Sequence, residues 1–319
     1  MRRFNRTHID HYRNHGFVIV ENFLTPDELN GARKDLSSTL PGWIEYCDDP
    51  NLPKPEGWKT GRIPDGGPTQ FPYAGPYLND ITLHPELRAF AAEMMDHNDL
   101  YCEQSHLTAK CKGHPGDRDQ GMHCDFGNHT LAYPPVDPAY WQTAYLLYYT
   151  DVSIDHGPTA VCSWPRYPES LRWPAHYSRE DRAELYDNEI KVVVPAGSLL
   201  AYSMRPFHRG TPFRAEAGRI GQFITYAPAA WKWLGIVGWS AQAIRPEFRQ
   251  WIETASPEER TLLGFPSPGH EYWTPETLEG VAARYPAMDM TPYEGAMIEK
   301  TRRPFRPSGQ EEGRMSYGH

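Results

Sequence analysis

Cysteine is scarce in this chain and shows no pattern of a structural site. The five cysteines among 319 residues are Cys47, Cys102, Cys111, Cys124 and Cys162, and no two of them form a CxxC pair. An odd number without paired spacing argues against a disulfide framework and against a zinc knuckle. We therefore expect reduced thiols and a protein that works in a reducing compartment.

The chain also lacks long apolar runs and clusters of basic residues. No run approaches the ~18 apolar residues of a membrane span, and residues 1–16 contain no apolar signal-peptide region. Lysine and arginine total 32 against 41 acidic residues, which gives a net charge of −9. Nucleic-acid binding would need basic residues clustered on one face. We expect a cytoplasmic protein whose partners are neither membranes nor nucleic acids.

The first third of the chain is predicted to be helical, with one short strand. Helices are predicted over 7–16 and 84–98, and an apolar strand over 17–20. Another helix begins at Pro26, because Thr25 is a good N-cap and Glu28 completes a capping box. Residues 50–80 are rich in proline and glycine, which predicts an ordered loop or lid. Residues 1–99 are thus assigned as N-terminal helices and a lid.

Residues 100–228 are predicted to form a β core. Strand-like runs bounded by Gly, Pro and Asp occur at 100–113, 141–152, 189–197, 198–204 and 219–228, with one helix at 178–188. Helical patterns return in 229–298, with N-caps at Ser256 and Thr274, and 299–319 is expected to be a flexible tail. The predicted fold is a single domain over 1–298, mainly β with flanking α-helices, built on an antiparallel sandwich or barrel.

Three His-x-Asp triplets begin at His8, His97 and His123, so a triplet alone is a weak signal among fourteen histidines. The first lies in a predicted helix, where residues two apart point in different directions. The second lies at a helix end and has no supporting neighbours. His123 and Asp125 lie on or beside a strand, where side chains two apart point the same way and Cys124 points away. They form the candidate metal-binding pair.

A catalytic metal needs a third ligand, and His208 is the candidate. It lies between the predicted strands 198–204 and 219–228. Two histidines and one carboxylate on one face of an octahedron are used by non-heme Fe(II) oxygenases. Arg219 follows eleven residues later, at the start of a strand, where its guanidinium could face a carboxylate inside a barrel. Arg214 is the alternative, although it lies in a loop.

The order His-x-Asp, about eighty-five residues, His, ten residues, Arg resembles the phytanoyl-CoA dioxygenase (PhyH) family of Fe(II)/2-oxoglutarate oxygenases. "GFVIVENFLTPDELNGARKDL", "DVSIDHGPTAV" and "VVVPAGSLLAY" are similar to segments of that family, and the resemblance spans roughly 16–293. It implies a double-stranded β-helix, a cupin-like jelly-roll. It also implies that His123, Asp125 and His208 bind Fe(II) and that Arg219 and Gln104 bind 2-oxoglutarate.

The chain departs from the family pattern at two places. Many members have Pro-Gly-Ser/Thr-His where this chain has Ser163–Arg166, so Trp164 and Arg166, together with Tyr133, become candidate substrate-pocket residues. For each of the three, ordinary packing is the favoured alternative. The position two after His208 is glycine, so a hydroxyl contact to 2-oxoglutarate is lost or moves to Thr211.

The resemblance implies a dioxygenase that hydroxylates an unactivated C–H bond of a small organic molecule, with O₂ and 2-oxoglutarate as co-substrates and succinate and CO₂ released. Asp125 favours a hydroxylase over a halogenase, because halogenases of this type lack the carboxylate. The alternative is a metal-binding cupin-like hydrolase, isomerase or binding protein that does not use 2-oxoglutarate. Arg219 discriminates, since a hydrolase does not need a buried arginine beside its metal. The substrate and the oligomeric state stay open.

Overall fold

The computed structural model describes residues 3–55, 66–113, 118–125, 129, 137–164, 176–231, 234–235, 238–239, 245–270 and 272–295. Its helices are α1 (Arg6–His15), α2 (Pro26–Thr39), α3 (Trp43–Asp48), α4 (Pro76–Thr82), α5 (Pro85–Met95), α6 (Ala183–Asp187), α7 (Pro246–Thr254), α8 (Pro257–Thr261), α9 (Pro275–Arg284) and α10 (Thr291–Glu294). Its strands are β1 (Phe17–Val20), β2 (Leu100–Lys110), β3 (Met122–His123), β4 (Thr143–Tyr148), β5 (Thr159–Val161), β6 (His176–Tyr177), β7 (Ile190–Lys191), β8 (Leu199–Ser203), β9 (His208–Gly210) and β10 (Arg219–Pro228).

The strands form two five-stranded antiparallel sheets. The larger has the order β1-β8-β4-β10-β2, and the smaller has the order β6-β3-β9-β5-β7. Val161 on β5 and Val192, which follows β7, pack with Leu146 and Leu200 of the larger sheet in one buried cluster. The two sheets therefore face each other. This arrangement, with helices outside it, confirms the predicted fold class.

The larger sheet separates the site from the helices because its side chains alternate between two faces. Ile220 and Ile224 of β10 are 0% exposed and belong to the core shared with Leu87 and Phe90 of α5. Phe223, between them, packs on the opposite face with the inner cluster. The helical layer therefore supports one face of the sheet, and the other face lines the space between the sheets.

A buried polar network joins the helical layer to the sheet. The Nε2 atom of Gln222 donates to the hydroxyls of Thr82 at 2.8 Å, Ser105 at 2.9 Å and Tyr73 at 3.3 Å. The Tyr149 hydroxyl donates to the Oε1 atom of Gln222. Satisfied networks of this kind specify one packing arrangement, because any other would leave buried polar groups unpaired. The network fixes the loop before α4, and α4 itself, on the sheet.

The N-terminal segment folds as its sequence predicts. Gly16 has φ 78° and ends α1 in the left-handed conformation that favours glycine, so the chain can turn directly into β1. Thr25 and Glu28 form the predicted capping box of α2. β1 then pairs with β8 and covers that edge of the larger sheet.

Several predicted elements differ from the structure. The helix predicted over 178–188 begins only at Ala183, and the strand predicted over 189–197 is reduced to Ile190–Lys191. Both segments lie at the periphery of the smaller sheet, where tertiary contacts decide the conformation. The helices α3, α4, α7 and α10 were not predicted individually, and α4 begins within the predicted loop 50–80 and extends to Thr82. The predicted tail, 299–319, lies outside the described residues.

Candidate metal centre

The structure brings His123, Asp125 and His208 together. One potential ligand atom from each residue lies within 4.8 Å of the other two. His123 on β3 and His208 on β9 are register partners in the smaller sheet, and their ring centroids are 4.5 Å apart. Asp125 is the second residue after β3, and one of its carboxyl oxygens lies 3.2 Å from Nε2 of His208. Within the described part of the chain, this is the single group of three or more such residues that could hold a metal ion.

Both histidines present the same nitrogen to the cluster. The Nδ1 atom of His123 lies 2.9 Å from the Gly121 carbonyl oxygen, and that of His208 lies 3.1 Å from the Pro206 carbonyl oxygen. Because a carbonyl only accepts, each Nδ1–H donates and each Nε2 carries the lone pair in the neutral ring. Metal-binding histidines are oriented by such contacts. The donor set therefore fits a divalent cation of intermediate softness such as Fe(II).

The electrostatics also suit a cation. Burial lowers the pKa of His123 to about 4, so its ring is neutral and able to ligate at neutral pH. Burial would raise the pKa of Asp125, but the neighbouring His208 lowers it well below its usual range. Burial opposes the charged form of His208, whereas Asp125 raises its pKa. The carboxylate thus keeps a negative charge in the interior, which a bound cation would neutralise.

Two tyrosines extend from the cluster along the inner face of the larger sheet. The Tyr202 ring centroid lies 4.9 Å from that of His208. Burial raises the pKa of Tyr202 well above its usual value, and the Asp125 carboxylate raises it further, as does Tyr148. Tyr148 in turn lies against the guanidinium of Arg219, 5.5 Å from ring centroid to Cζ. The inner face therefore connects the metal cluster with Arg219.

Arg219 is buried without a carboxylate partner among the described residues. It is 3% exposed, and its Nη1 donates to the Gly157 carbonyl oxygen at 2.7 Å. Burial lowers its pKa. Lys110, the last residue of β2, is the register partner of Arg219, the first residue of β10. Two basic residues therefore lie at the same end of this strand pair. Arg214, the alternative, is exposed. A buried guanidinium is costly unless an anion pairs with it. Arg219 has no carboxylate partner among the described residues, so its guanidinium is available to bind a carboxylate of a ligand.

The other predicted residues have different surroundings. Gln104 faces the interior, where its Nε2 donates to the Thr225 hydroxyl at 3.0 Å. Trp164 is half-buried and lies edge-on to Trp141, 5.9 Å between ring centroids. The Thr211 hydroxyl donates to the Pro158 carbonyl at 2.7 Å, so it holds a loop. Tyr133 and Arg166 lie outside the described residues.

Sequence reasoning missed Glu103 and gave His129 no role, although His129 contacts Asp125 and Glu103 lies within electrostatic range of it. The His129 backbone N–H donates to the Asp125 carbonyl oxygen at 3.0 Å, and its Nδ1 lies 2.7 Å from Nε2 of Gln142. Burial raises the pKa of Glu103 to about 8, and Asp125 contributes to the rise. Strict alternation along β2 would place the side chains of Glu103 and Gln104 on opposite faces of the sheet. A β-bulge at this point, which the sequence does not reveal, changes the direction of the Glu103 side chain.

Comparison with known proteins gives one family. The family model for phytanoyl-CoA dioxygenase (PhyH) matches residues 12–221. Among solved structures, the non-heme α-ketoglutarate-dependent carbocyclase SnoK from nogalamycin biosynthesis matches with TM-score 0.53 and 15% identity, over 76% of this chain and 92% of SnoK. The epimerase SnoN, in complex with Fe3+, α-ketoglutarate and nogalamycin RO, matches with TM-score 0.50 and 13% identity, over 70% and 83%. No curated protein sequence is significantly similar to the chain. In the described residues, no helix has the length and apolar character needed to cross a bilayer.

Proposed function

The chain belongs to the phytanoyl-CoA dioxygenase family, and we propose that it hydroxylates an unactivated C–H bond of a small organic molecule. Membership places it among the 2-oxoglutarate-dependent non-heme enzymes, which is the cofactor class that the sequence predicts. The proposal adds the individual residue roles and the outcome of the reaction. SnoK is a carbocyclase and SnoN an epimerase, so outcomes differ between proteins of this fold.

In this proposal His123, Asp125 and His208 hold the iron. The Nε2 atoms of the two histidines and one carboxylate match the two-histidine, one-carboxylate set that leaves three coordination positions open. Bound iron and 2-oxoglutarate supply the oxidising chemistry, with O₂ consumed and succinate and CO₂ released. The presence of Asp125 supports hydroxylation over halogenation, because the carboxylate fills the position that a halide would take.

Arg219 carries the proposal. Its guanidinium is buried, lacks a described carboxylate partner and connects to the metal cluster through Tyr148 and Tyr202. A dicarboxylate with one end at the metal would place its other end where such an arginine binds it in two-pronged fashion. Lys110, opposite Arg219, adds a second basic group to the same end. A hydrolase that activates only water would not need either.

The remaining inner residues position the reactants and exclude water. Tyr148 and Tyr202 are 0% and 4% exposed and wall the path between Arg219 and the cluster. Gly121 and Pro206 fix the two imidazole rings through their carbonyl groups. Fixed metal ligands and a wall that excludes water would hold the reacting C–H bond in a constant position relative to the metal. Gln104 stays a proposed contact of 2-oxoglutarate, with Thr225 as its present partner.

The test is anaerobic addition of Fe(II) and 2-oxoglutarate to the protein. We expect the visible charge-transfer band that a chelated 2-oxoglutarate produces, and we expect Arg219→Met to weaken 2-oxoglutarate binding at least ~10-fold, because a buried charge pair is lost. Arg214→Met, an exposed arginine of the same segment, is the matched control and should bind normally. Absence of the band together with tight stoichiometric zinc binding would instead favour a metal-dependent protein that does not use 2-oxoglutarate.

A further inference from the structure

A carboxyl group outside the metal cluster is buried beside it without a partner. Glu103 is 0% exposed, and no described residue donates a hydrogen bond to either of its carboxyl oxygens. Buried acids are almost always paired, because taking the charged form out of water is costly. The cluster of potential metal ligands does not include Glu103. An unpaired acid at this depth indicates a position kept for a ligand rather than for stability.

A β-bulge turns Glu103 toward the site. Gln104 is opposite Thr225 and Cys102 is opposite Tyr226, so Glu103 is the extra residue where the β2–β10 register shifts. Cys102 packs in the core under the helices, and Gln104 faces the interior. Glu103 feels the charge of Asp125, and its Oε1 lies 3.9 Å from where a Cβ on Gly235 would be. Its carboxyl group therefore lies next to the segment at Gly235 and within electrostatic range of Asp125.

A second unpaired acceptor belongs to a residue that contacts His129, whose carbonyl oxygen accepts from the N–H of Gly235 at 3.0 Å. Gln142 is 0% exposed, and its Oε1 has no hydrogen-bond partner in the described structure. Its Nε2 lies 2.7 Å from Nδ1 of His129, whose backbone N–H binds the Asp125 carbonyl. The wall beside Asp125 thus offers acceptor oxygens that have no partner in the described structure. A ligand that satisfies this wall must bring donors.

We propose that Glu103 receives a protonated amine of the substrate, with the Gln142 carbonyl as a second acceptor. The proposal rests on the proposed function and narrows its substrate class to amines whose nitrogen lies near the oxidised carbon. An ammonium group brings three donors and the charge that a buried carboxylate needs. A hydroxyl group would bring one hydrogen bond but no positive charge to hold Glu103 in its ionised form. A carboxylate or phosphate group would bring a like charge to Glu103 and no donor for its oxygens.

The experiment measures binding of matched probes to protein loaded anaerobically with Fe(II) and 2-oxoglutarate. The probes are cyclohexylamine, phenethylamine and glucosamine, each paired with its N-acetyl derivative, and calorimetry gives the Kd. We expect at least one amine to bind about tenfold or more tightly than its N-acetyl form, since acetylation removes the charge. Glu103→Gln should reduce that preference to about twofold or less, whereas Glu21→Gln, which removes an exposed carboxylate, should retain it.

A second readout separates a ligand-binding role from a structural one. An acid kept for a ligand destabilises the empty protein, so Glu103→Gln should raise the Tm of the ligand-free protein. A structural acid would give a lower Tm on the same change. The proposal is overturned if no amine binds, if the N-acetyl forms bind equally well, if Glu103→Gln keeps the preference, or if that variant lowers the Tm.

Failure of this inference and failure of the proposed function give different results. If the charge-transfer band forms but amines are not preferred, the oxygenase assignment stands and the amine assignment is wrong. If the band is absent, the oxygenase assignment is wrong. The same probes, tested on the protein without iron and 2-oxoglutarate, then decide whether Glu103 binds amines.

Discussion

Asp125 is the residue whose removal tests the metal centre most directly. Asp125→Ala removes the single carboxylate of the cluster and leaves only the two histidines as ligands. We expect iron affinity to fall at least ~100-fold, because even residues outside the ligand set cost 10–100-fold when changed, and 2-oxoglutarate turnover to fall with it. Succinate formation and iron titration measure the two effects. Asp155→Ala, an exposed aspartate, is the control, and unchanged turnover in Asp125→Ala would refute the ligand assignment.

Glu103 should make the stability of the metal-free protein depend on pH. Its pKa is about 8 in the folded chain against an ordinary value of 4.5, so the unfolded chain releases this proton first as pH rises. The free energy of unfolding therefore falls between pH 4.5 and pH 8, by roughly 3–5 kcal/mol from this group alone. Urea unfolding at pH 5 and pH 8 checks this. Glu103→Gln should lose less stability over that interval than the wild type, and parallel losses would contradict the prediction.

The residues found from the sequence were those whose signal is local. His123 and Asp125 stand two apart on an extended segment, and His208 and Arg219 flank recognisable strands. Alternation along an extended segment then predicts that the side chains of His123 and Asp125 point the same way. Glu103 could not be found this way, because its direction depends on a bulge set by pairing with a strand more than a hundred residues away.

At the scale of elements, β10 is the strand on which the larger sheet depends, because it pairs with both β2 and β4. Ile224→Ala on this strand removes a side chain that is 0% exposed and packed under the helices. We expect a loss of about 2–5 kcal/mol in the free energy of unfolding, from lost burial and the cavity left behind. Chemical denaturation measures it. Ile154→Ala, at a side chain that is 53% exposed, should change stability by less than ~0.5 kcal/mol, and equal losses would contradict this reading of β10.

Element prediction succeeded where capping chemistry or long periodicity was available. α2, α8 and α9 begin at the predicted caps Thr25, Ser256 and Thr274. It failed for short elements, whose residues are ordered by partners distant in sequence. β3, β6 and β7 have two residues each, and no sequence period exists over that length. The N-cap of α3 is Gly42, which offers no side-chain cap to detect.

At the scale of the whole molecule, the five free thiols report on the integrity of the fold. Four are buried, and Cys47 is partly exposed with its pKa raised by burial to about 12. Because the thiolate is the reactive form, a thiol reagent should label the native protein slowly, at Cys47 first if at all. Mass spectrometry should show all five labelled only after unfolding in denaturant. Rapid native labelling of Cys102, Cys111, Cys124 or Cys162 would show that the interior opens more readily than its packing implies.

The pairing of His123 with His208 also has a consequence for how the chain acquires its metal. These register partners are 85 residues apart in sequence (208 − 123), so closing that loop must precede formation of the site. Contacts of such long range form late in folding and lower its rate. Iron present during refolding should therefore leave the folding rate unchanged and slow only the unfolding rate. The metal would thus slow the unfolding of the folded protein and would not help to nucleate its folding.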